Sequence, residues 1–215
     1  MSNQVCVLCH QELLTFYAKD KKRSYHQCQL CKLVQVESEY HLSAEDEKAE
    51  YDKHDNDVAD AGYQKFLSRC LDPVLERVSP DSSGLDFGCG EGKVLSQMAA
   101  SRGVHVANYD LYYVNELKAL SRQYEFITLT EVIEHIYDVN QLLIQLKSLL
   151  KPNGLLAIMT KRVKDKQAFA QWHYKNDMTH ICFYSIETFE WIANQFGWQL
   201  EVISDDVVIL TVKCV

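Results

Sequence analysis

Three groups of side chains in this sequence have the types and spacing to do chemistry. Asp86, Gly88, Gly90 and Gly92 place three glycines at every second position behind an acidic residue. Glycine accepts positive φ and lets a backbone come close to a ligand. Where such a turn opens a helix, the first N–H groups of that helix are unpaired and face the turn. The spacing differs from the Gly-x-Gly-x-x-Gly of pyrophosphate turns, so the glycines alone say little. A strand–turn–helix setting with an acidic residue after the next strand says more. Asp110 is that residue. Its carboxylate can accept hydrogen bonds from both hydroxyls of a ribose, or it can cap a turn, a common use of Asp at strand ends.

The second group is Glu131, Glu134 and His135, which share one face if the segment is helical. Two carboxylates and an imidazole can coordinate Mg²⁺, Mn²⁺ or Fe²⁺. They can equally hydrogen-bond one another on a cleft floor with no metal. His180 or His173 would then serve as general base, since imidazole titrates near pH ~6.5. Trp172, His173, Tyr174 and Tyr184 cluster in sequence around these histidines, as pocket lining or as aromatic core.

The third group is Cys6-x₂-Cys9 and Cys28-x₂-Cys31, 18 residues apart. Each pair can form a turn presenting two thiolates, and two such turns complete a tetrahedral Zn²⁺ shell. Four thiolates leave no open position, so this zinc would be structural, and small units of this kind fold only with their metal. The remaining cysteines, Cys70, Cys89, Cys182 and Cys214, sit in apolar surroundings and are expected to be small core residues.

The elements that must position these groups follow from periodicity. Residues 1–36 form one cysteine-bearing unit, and 37–79 read as an acidic linker with a weak helix, then a helical stretch over 63–78 that Pro73 kinks or restarts. From residue 80 to 215 strands and helices alternate. Strands are expected at 84–87, 104–109, 125–129 and 155–160, with helices at 93–101, 139–150 and 185–196. Lys151-Pro152-Asn153-Gly154 breaks the chain before the fourth strand, and Ser185 is placed to cap the last helix. Residues 198–204 and 207–213 complete a hairpin. This is an α/β chain with a mostly parallel sheet, ending in an antiparallel hairpin.

Composition narrows the class. The 215 residues are 47% hydrophobic, with 22 Lys plus Arg against 30 Asp plus Glu, a net charge of −8. That balance disfavours a nucleic-acid backbone as partner, although Lys19-Asp20-Lys21-Lys22-Arg23 is a local basic stretch whose simplest reading is a solvated loop tip. No apolar run is long enough for a membrane helix and residues 1–4 lack a leader pattern, so the expectation is a cytoplasmic protein.

Residues 84–160 resemble class I S-adenosylmethionine-dependent methyltransferases: LDFGCGEG, then YD, EFITLTEVIEHI and LLKPNGLLAIMT, in that order. The resemblance implies a Rossmann-like fold with S-adenosylmethionine at the carboxyl ends of the strands. Asp86, Phe87, Gly88, Cys89 and Gly90 would face its methionine part, Asp110 its ribose, and Thr130 the methyl-donor region. Glu131, His173 and His180 would be the catalytic candidates. The ExxEH pattern with a later histidine is similar to metal-dependent O-methyltransferases. There, carried over to Glu131, Glu134, His135 and His180, it would hold Mg²⁺ or Mn²⁺; the pattern also occurs in this superfamily without metal. A zinc ribbon ahead of such a domain resembles both certain ribosomal RNA methyltransferases and certain sugar C-methyltransferases. One departure stands out. Only 14 residues separate Asp110 from Glu125, where the family fits helix, strand and helix, so the third strand is expected to be missing or abbreviated. The acceptor is unidentified, with a small molecule favoured over RNA and oxygen the expected methylated atom. The rival of another class is a zinc-ribbon binding protein on a degenerate methyltransferase fold.

Overall fold

In the computed structural model, residues 5–53 and 57–213 are described; residues 1–4 and Cys214 lie outside them. The central sheet is laid down by apolar strands of the second half of the chain. β4 (Ser83–Phe87), β5 (His105–Tyr109), β6 (Tyr124–Thr130) and β7 (Leu150–Met159) are parallel, and β10 (Val207–Val212) runs antiparallel between β7 and β9 (Trp198–Val202). The order across the sheet is β5-β4-β6-β7-β10-β9. Register fixes the site: Phe87 lies opposite Tyr109, Asp86 opposite Thr128, and Thr130 opposite Met159. The carboxyl ends of β4, β5 and β6 therefore finish level, and the loops that follow them meet on one edge, where ligands bind in open α/β sheets.

β5 is the edge strand. The short stretch after Asp110 forms a turn closed by an Asp110–Val114 bridge and a 3₁₀ turn at Leu117–Leu120, with no further strand beside β5 among the described residues. Lys151-Pro152-Asn153-Gly154 is a correction to the expected loop. It lies within β7 as a bulge, with Asn153 at φ +60° and the register jumping between Tyr124 and Phe126.

Helices cover the sheet. α2 (Ala61–Leu75) starts on Asp60, whose carboxylate accepts from the N–H groups of Gly62 and Tyr63. It buries Leu67, Cys70, Leu71 and Val74, each full-sized apolar side chain giving roughly 1.5–3 kcal/mol. Pro73, expected to kink or restart the helix, falls inside its last turn, and the helix ends at Leu75 without restarting. α3 (Val94–Ala100) follows the glycine turn, and α4 (Val139–Leu149) and α5 (Ile186–Phe196) pack against the sheet, α5 capped by Ser185. No described helix is long and apolar enough to cross a membrane.

A second sheet holds the cysteine-bearing strands β1 (Leu14–Lys19), β2 (Ser24–Cys28) and β3 (Val34–Val36), all antiparallel. Its fourth strand, β8 (Cys182–Phe183), comes from the far part of the chain and pairs with β3. Cys6, Leu8, Leu33 and Val34 share one apolar core with Leu129, Leu143 and Phe189. The N-terminal unit is thus built into the flank of the larger sheet, next to the segment that carries His180.

Candidate active site

The glycine turn is shaped by what stands behind it. Gly88 has φ +80°, and a Cβ there would fall 2.4 Å from Cγ2 of Val132. Its N–H donates to the Tyr109 carbonyl at 2.7 Å, closing the turn against the next strand. Gly90, at φ +62°, donates its N–H to Oδ2 of Asp110 at 3.0 Å. The other oxygen of Asp110 accepts from the N–H groups of Tyr112 (2.9 Å) and Tyr113 (3.1 Å). Asp110 therefore caps the turn. A carboxylate has about four acceptor sites, so three N–H donors leave one for a ligand hydroxyl.

Asp86 lies beneath this turn, 3% exposed, and accepts from the Thr128 hydroxyl at 2.8 Å. Burial pushes its carboxyl up to about 7. Phe87, Cys89 and Thr130 border a cleft of about 830 Å³ together with Gly88, Gly90 and Asp110. Asp86 does not line that cleft; it supports the turn from below. Cys89 is half-buried at the cleft wall, a correction to its expected place in the core, whereas Cys70 and Cys182 are buried as expected.

Sequence reasoning missed one wall. The acidic linker helix α1 (Ala44–Tyr51) buries none of its residues, yet it lies across the cleft. The Tyr112 hydroxyl donates to Glu47 at 2.6 Å, the Tyr51 hydroxyl to Glu47 at 2.8 Å, and the Tyr113 hydroxyl to Asp52 at 2.7 Å. Beyond the weak helix expected in this linker, a signal that could have found the strap is Ser43, whose side chain caps α1 by accepting from the Asp46 N–H.

The other end of the cleft is assembled from distant segments. Glu131 leaves β6 at φ +54°, and residues Ile133–His135 form a 3₁₀ turn. The single helical face expected for Glu131, Glu134 and His135 is therefore not formed. Instead the Tyr174 hydroxyl bridges the two glutamates, reaching Oε2 of Glu131 at 3.1 Å and Oε1 of Glu134. Oε1 of Glu131 and Oε2 of Glu134 are buried with no hydrogen-bond partner among the described residues. Burial lifts the Glu131 carboxyl to about 7 and the Glu134 carboxyl to about 8, with the neighbouring Glu131 charge adding to the second.

His135 and His180 meet here, ring centroids 4.7 Å apart. Nδ1 of His180 is 2.8 Å from the Tyr174 carbonyl and Nδ1 of His135 is 3.1 Å from the Thr179 carbonyl. A carbonyl can only accept, so both Nδ1 atoms carry a proton, and in a neutral ring Nε2 then carries the lone pair. Burial pulls the His180 pKa below its usual value, which keeps the ring neutral at pH 7. One ligand atom from each of Glu134, His135 and His180 falls within 4.8 Å of the others; Glu131 is outside that group. His173 is exposed, its Nε2 3.4 Å from Nζ of Lys161, and does not border the cleft. Tyr174 and Tyr184 are buried and Trp172 packs against the core, so this aromatic cluster is packing and not pocket lining.

The cleft is also uniform in charge. Glu47, Asp52, Glu91, Asp110, Glu131 and Asp177 border it, and no described lysine or arginine does.

Residues 55–202 match the family profile described as a methyltransferase domain. The chain belongs to the methyltransferase-domain family. Among curated relatives, the ubiquinone biosynthesis O-methyltransferase of Marinobacter nauticus is 30% identical over 117 residues, covering 42% of this chain and 49% of that protein. The corresponding enzyme of Rickettsia canadensis is 30% identical over 128 residues, 44% of this chain and 53% of that one. The chain thus spans about half the length of the curated relatives it matches. Among solved structures, the 1,6-didemethyltoxoflavin-N1-methyltransferase of Burkholderia thailandensis, with S-adenosylhomocysteine bound, superposes with a TM-score of 0.54 at 13% identity, over 93% of this chain and 99% of that one. A methyltransferase of calicheamicin biosynthesis gives a TM-score of 0.52 at 13% identity, over 78% of this chain and 60% of that one. At such identities the likeness concerns the fold.

In this methyltransferase-family protein the four paired cysteines converge. Their Sγ atoms all lie within 4.8 Å of one another, Cys6 to Cys31 at 3.4 Å and Cys9 to Cys28 at 3.4 Å. The two turns are alike. The residue after each pair, His10 or Lys32, takes positive φ (56° and 62°) and donates its N–H to the first cysteine's carbonyl.

Proposed function

We propose that this chain transfers the methyl group of S-adenosylmethionine to a hydroxyl oxygen of an uncharged small molecule. The observation that carries the reading is the cleft itself. It joins a glycine turn with Asp110 at one end to His135 and His180 at the other. Donor binding is assigned to Gly88, Cys89, Gly90, Asp110 and Thr130, with the remaining acceptor site of Asp110 taking a ribose hydroxyl. In the transfer step the acceptor oxygen attacks the methyl carbon, the C–O bond forms as the C–S bond breaks, and S-adenosylhomocysteine leaves. The acceptor proton passes to Nε2 of His180. The positive sulfonium supplies the drive, and the main work of the protein is to align oxygen, methyl and sulfur.

The acceptor class follows from charge. A cleft bordered by six carboxylates and no lysine or arginine suits a sulfonium and repels phosphates. This weighs against RNA, in line with the net charge of −8, and oxygen agrees with the naming of the curated relatives as O-methyltransferases.

A metal-assisted version has its own support. Glu134 keeps a buried oxygen without a hydrogen bond beside His135 and His180, and both rings donate Nδ1–H to carbonyls, as ligating histidines usually do. Those three residues would hold a divalent ion such as Mg²⁺ or Mn²⁺, which would lower the pKa of an acceptor hydroxyl. We assign Zn²⁺ to Cys6, Cys9, Cys28 and Cys31. Zn–S bonds of ~2.3 Å set sulfurs ~3.8 Å apart in a tetrahedron, close to the 3.4 Å contacts found.

The test is formation of S-adenosylhomocysteine with a panel of neutral phenols and alcohols, their carboxylated or phosphorylated analogues, and a short RNA. Turnover confined to neutral acceptors is expected. Turnover of RNA or phosphorylated compounds alone would overturn the acceptor class, and absence of donor binding would overturn the enzyme reading.

A further inference from the structure

Arg23 belongs to the basic stretch that read as a solvated loop tip, yet its side chain is fully buried. Its guanidinium has five N–H donors, and each finds an acceptor. Nη1 donates to the carbonyls of Met178 (3.0 Å) and His180 (2.9 Å), and Nη2 to those of Lys175 (2.5 Å) and Asp177 (2.6 Å). Nε donates to the Tyr25 hydroxyl at 3.3 Å. One cation thus gathers four carbonyls of the loop that ends at His180. Asp20 completes the arrangement, accepting from Tyr25 at 2.7 Å and from Nζ of Lys175 at 3.3 Å.

What this loop carries gives the contact its consequence. Asp177 and His180 border the cleft, and the Thr179 carbonyl receives the Nδ1–H of His135. The hairpin of β1 and β2 that presents Arg23 is rooted at its other end in the cysteine turns, β2 finishing at Cys28. We propose that Arg23 is a positioning residue for the acceptor half of the cleft: by holding the carbonyls of residues 175–180 it sets the orientation of His180 and His135. The cysteine-bearing unit then works as the frame of the acceptor site, and its four-thiolate cage fixes the hairpin from which Arg23 reaches. A lysine cannot replace it, because one ammonium has three donors and no planar fork to span four carbonyls. This role rests on the cleft being a methyl-transfer site.

The experiment uses the zinc-loaded full chain with Arg23→Lys and Arg23→Ala. Imidazole ¹H–¹⁵N correlations report whether Nδ1 of His180 holds the proton, and amide hydrogen exchange reports residues 178–181 and, separately, Gly88 and Gly90. Calorimetry measures S-adenosylmethionine affinity. In both variants the His180 ring is expected to lose its single tautomer and the 178–181 amides to exchange at least tenfold faster. The glycine-turn amides and donor affinity should stay within threefold of wild type. Free guanidinium added to Arg23→Ala should restore the His180 signature. Unchanged ring signals and exchange in the folded variants would overturn the proposal, as would loosening of loop and glycine turn together in Arg23→Lys. A wild type that binds no donor would sink the methyl-transfer reading while leaving the loop measurements interpretable.

Discussion

The two ends of the cleft are built on different plans. The donor end is local: one strand, one turn and the next strand supply Gly88, Gly90 and Asp110, and backbone N–H groups do most of the holding. The acceptor end is collected from far-apart segments. The strap brings Tyr51, the end of β6 brings Glu131 and His135, and the 175–180 loop, whose carbonyls Arg23 gathers, brings His180. A local site fails when one backbone position fails. An assembled site fails when its frame does, and can do so while the local site survives.

The largest effect expected from that difference is loss of metal from the cysteine cage. Apparent zinc-binding energies in small structural sites are on the order of 10 kcal/mol. Chelation, or Cys28→Ser, should unfold the N-terminal hairpin, seen as lost protection of the β2 amides, and should abolish methyl transfer. Donor affinity should fall far less; equal loss of both would erase the distinction. Next comes Gly88→Ala. Positive φ and a 2.4 Å approach to Val132 together should cost about 2–4 kcal/mol. Donor affinity should drop at least tenfold, with the His180 ring signals unchanged.

A smaller effect concerns Asp86. Its carboxyl is raised from 3.8 to about 7 by burial, so the folded state holds a proton that the unfolded state gives up above pH ~3.9. Stability is full below that value and declines as the pH rises to about 7, by an amount on the order of a few kcal/mol. Asp86→Asn should lessen the fall of urea midpoints between pH 4 and 8, leaving the part that Glu131 and Glu134 contribute; a slope as steep as wild type would place the proton elsewhere. Smallest is Tyr174→Phe, which removes the hydroxyl shared by Glu131 and Glu134. It should lower stability by about 1–3 kcal/mol and slow methyl transfer, with donor affinity within twofold of wild type.

The same contrast explains what the sequence made legible. Strand periodicity and the glycine spacing located the turn that meets Asp110, and the 14 residues after Asp110 foretold the missing strand beside β5. CxxC spacing foretold the convergence of four sulfurs. Arg23 was opaque because the four carbonyls that hold its guanidinium lie more than 150 positions away. The strap was opaque for a related reason. α1 has no apolar face to read, since it meets the cleft through Glu47, Tyr51 and Asp52. His173 and His180 looked alike as bases, and only the fold turned one outward and one into the cleft.

We assign S-adenosylmethionine to the glycine turn and Asp110. Isothermal titration of the zinc-loaded chain with S-adenosylmethionine tests this assignment most directly, with Gly88→Ala alongside. One saturable site is expected in the wild type, weakened at least tenfold by the substitution. Heat-silent titrations, checked by equilibrium dialysis showing no bound donor, would contradict it.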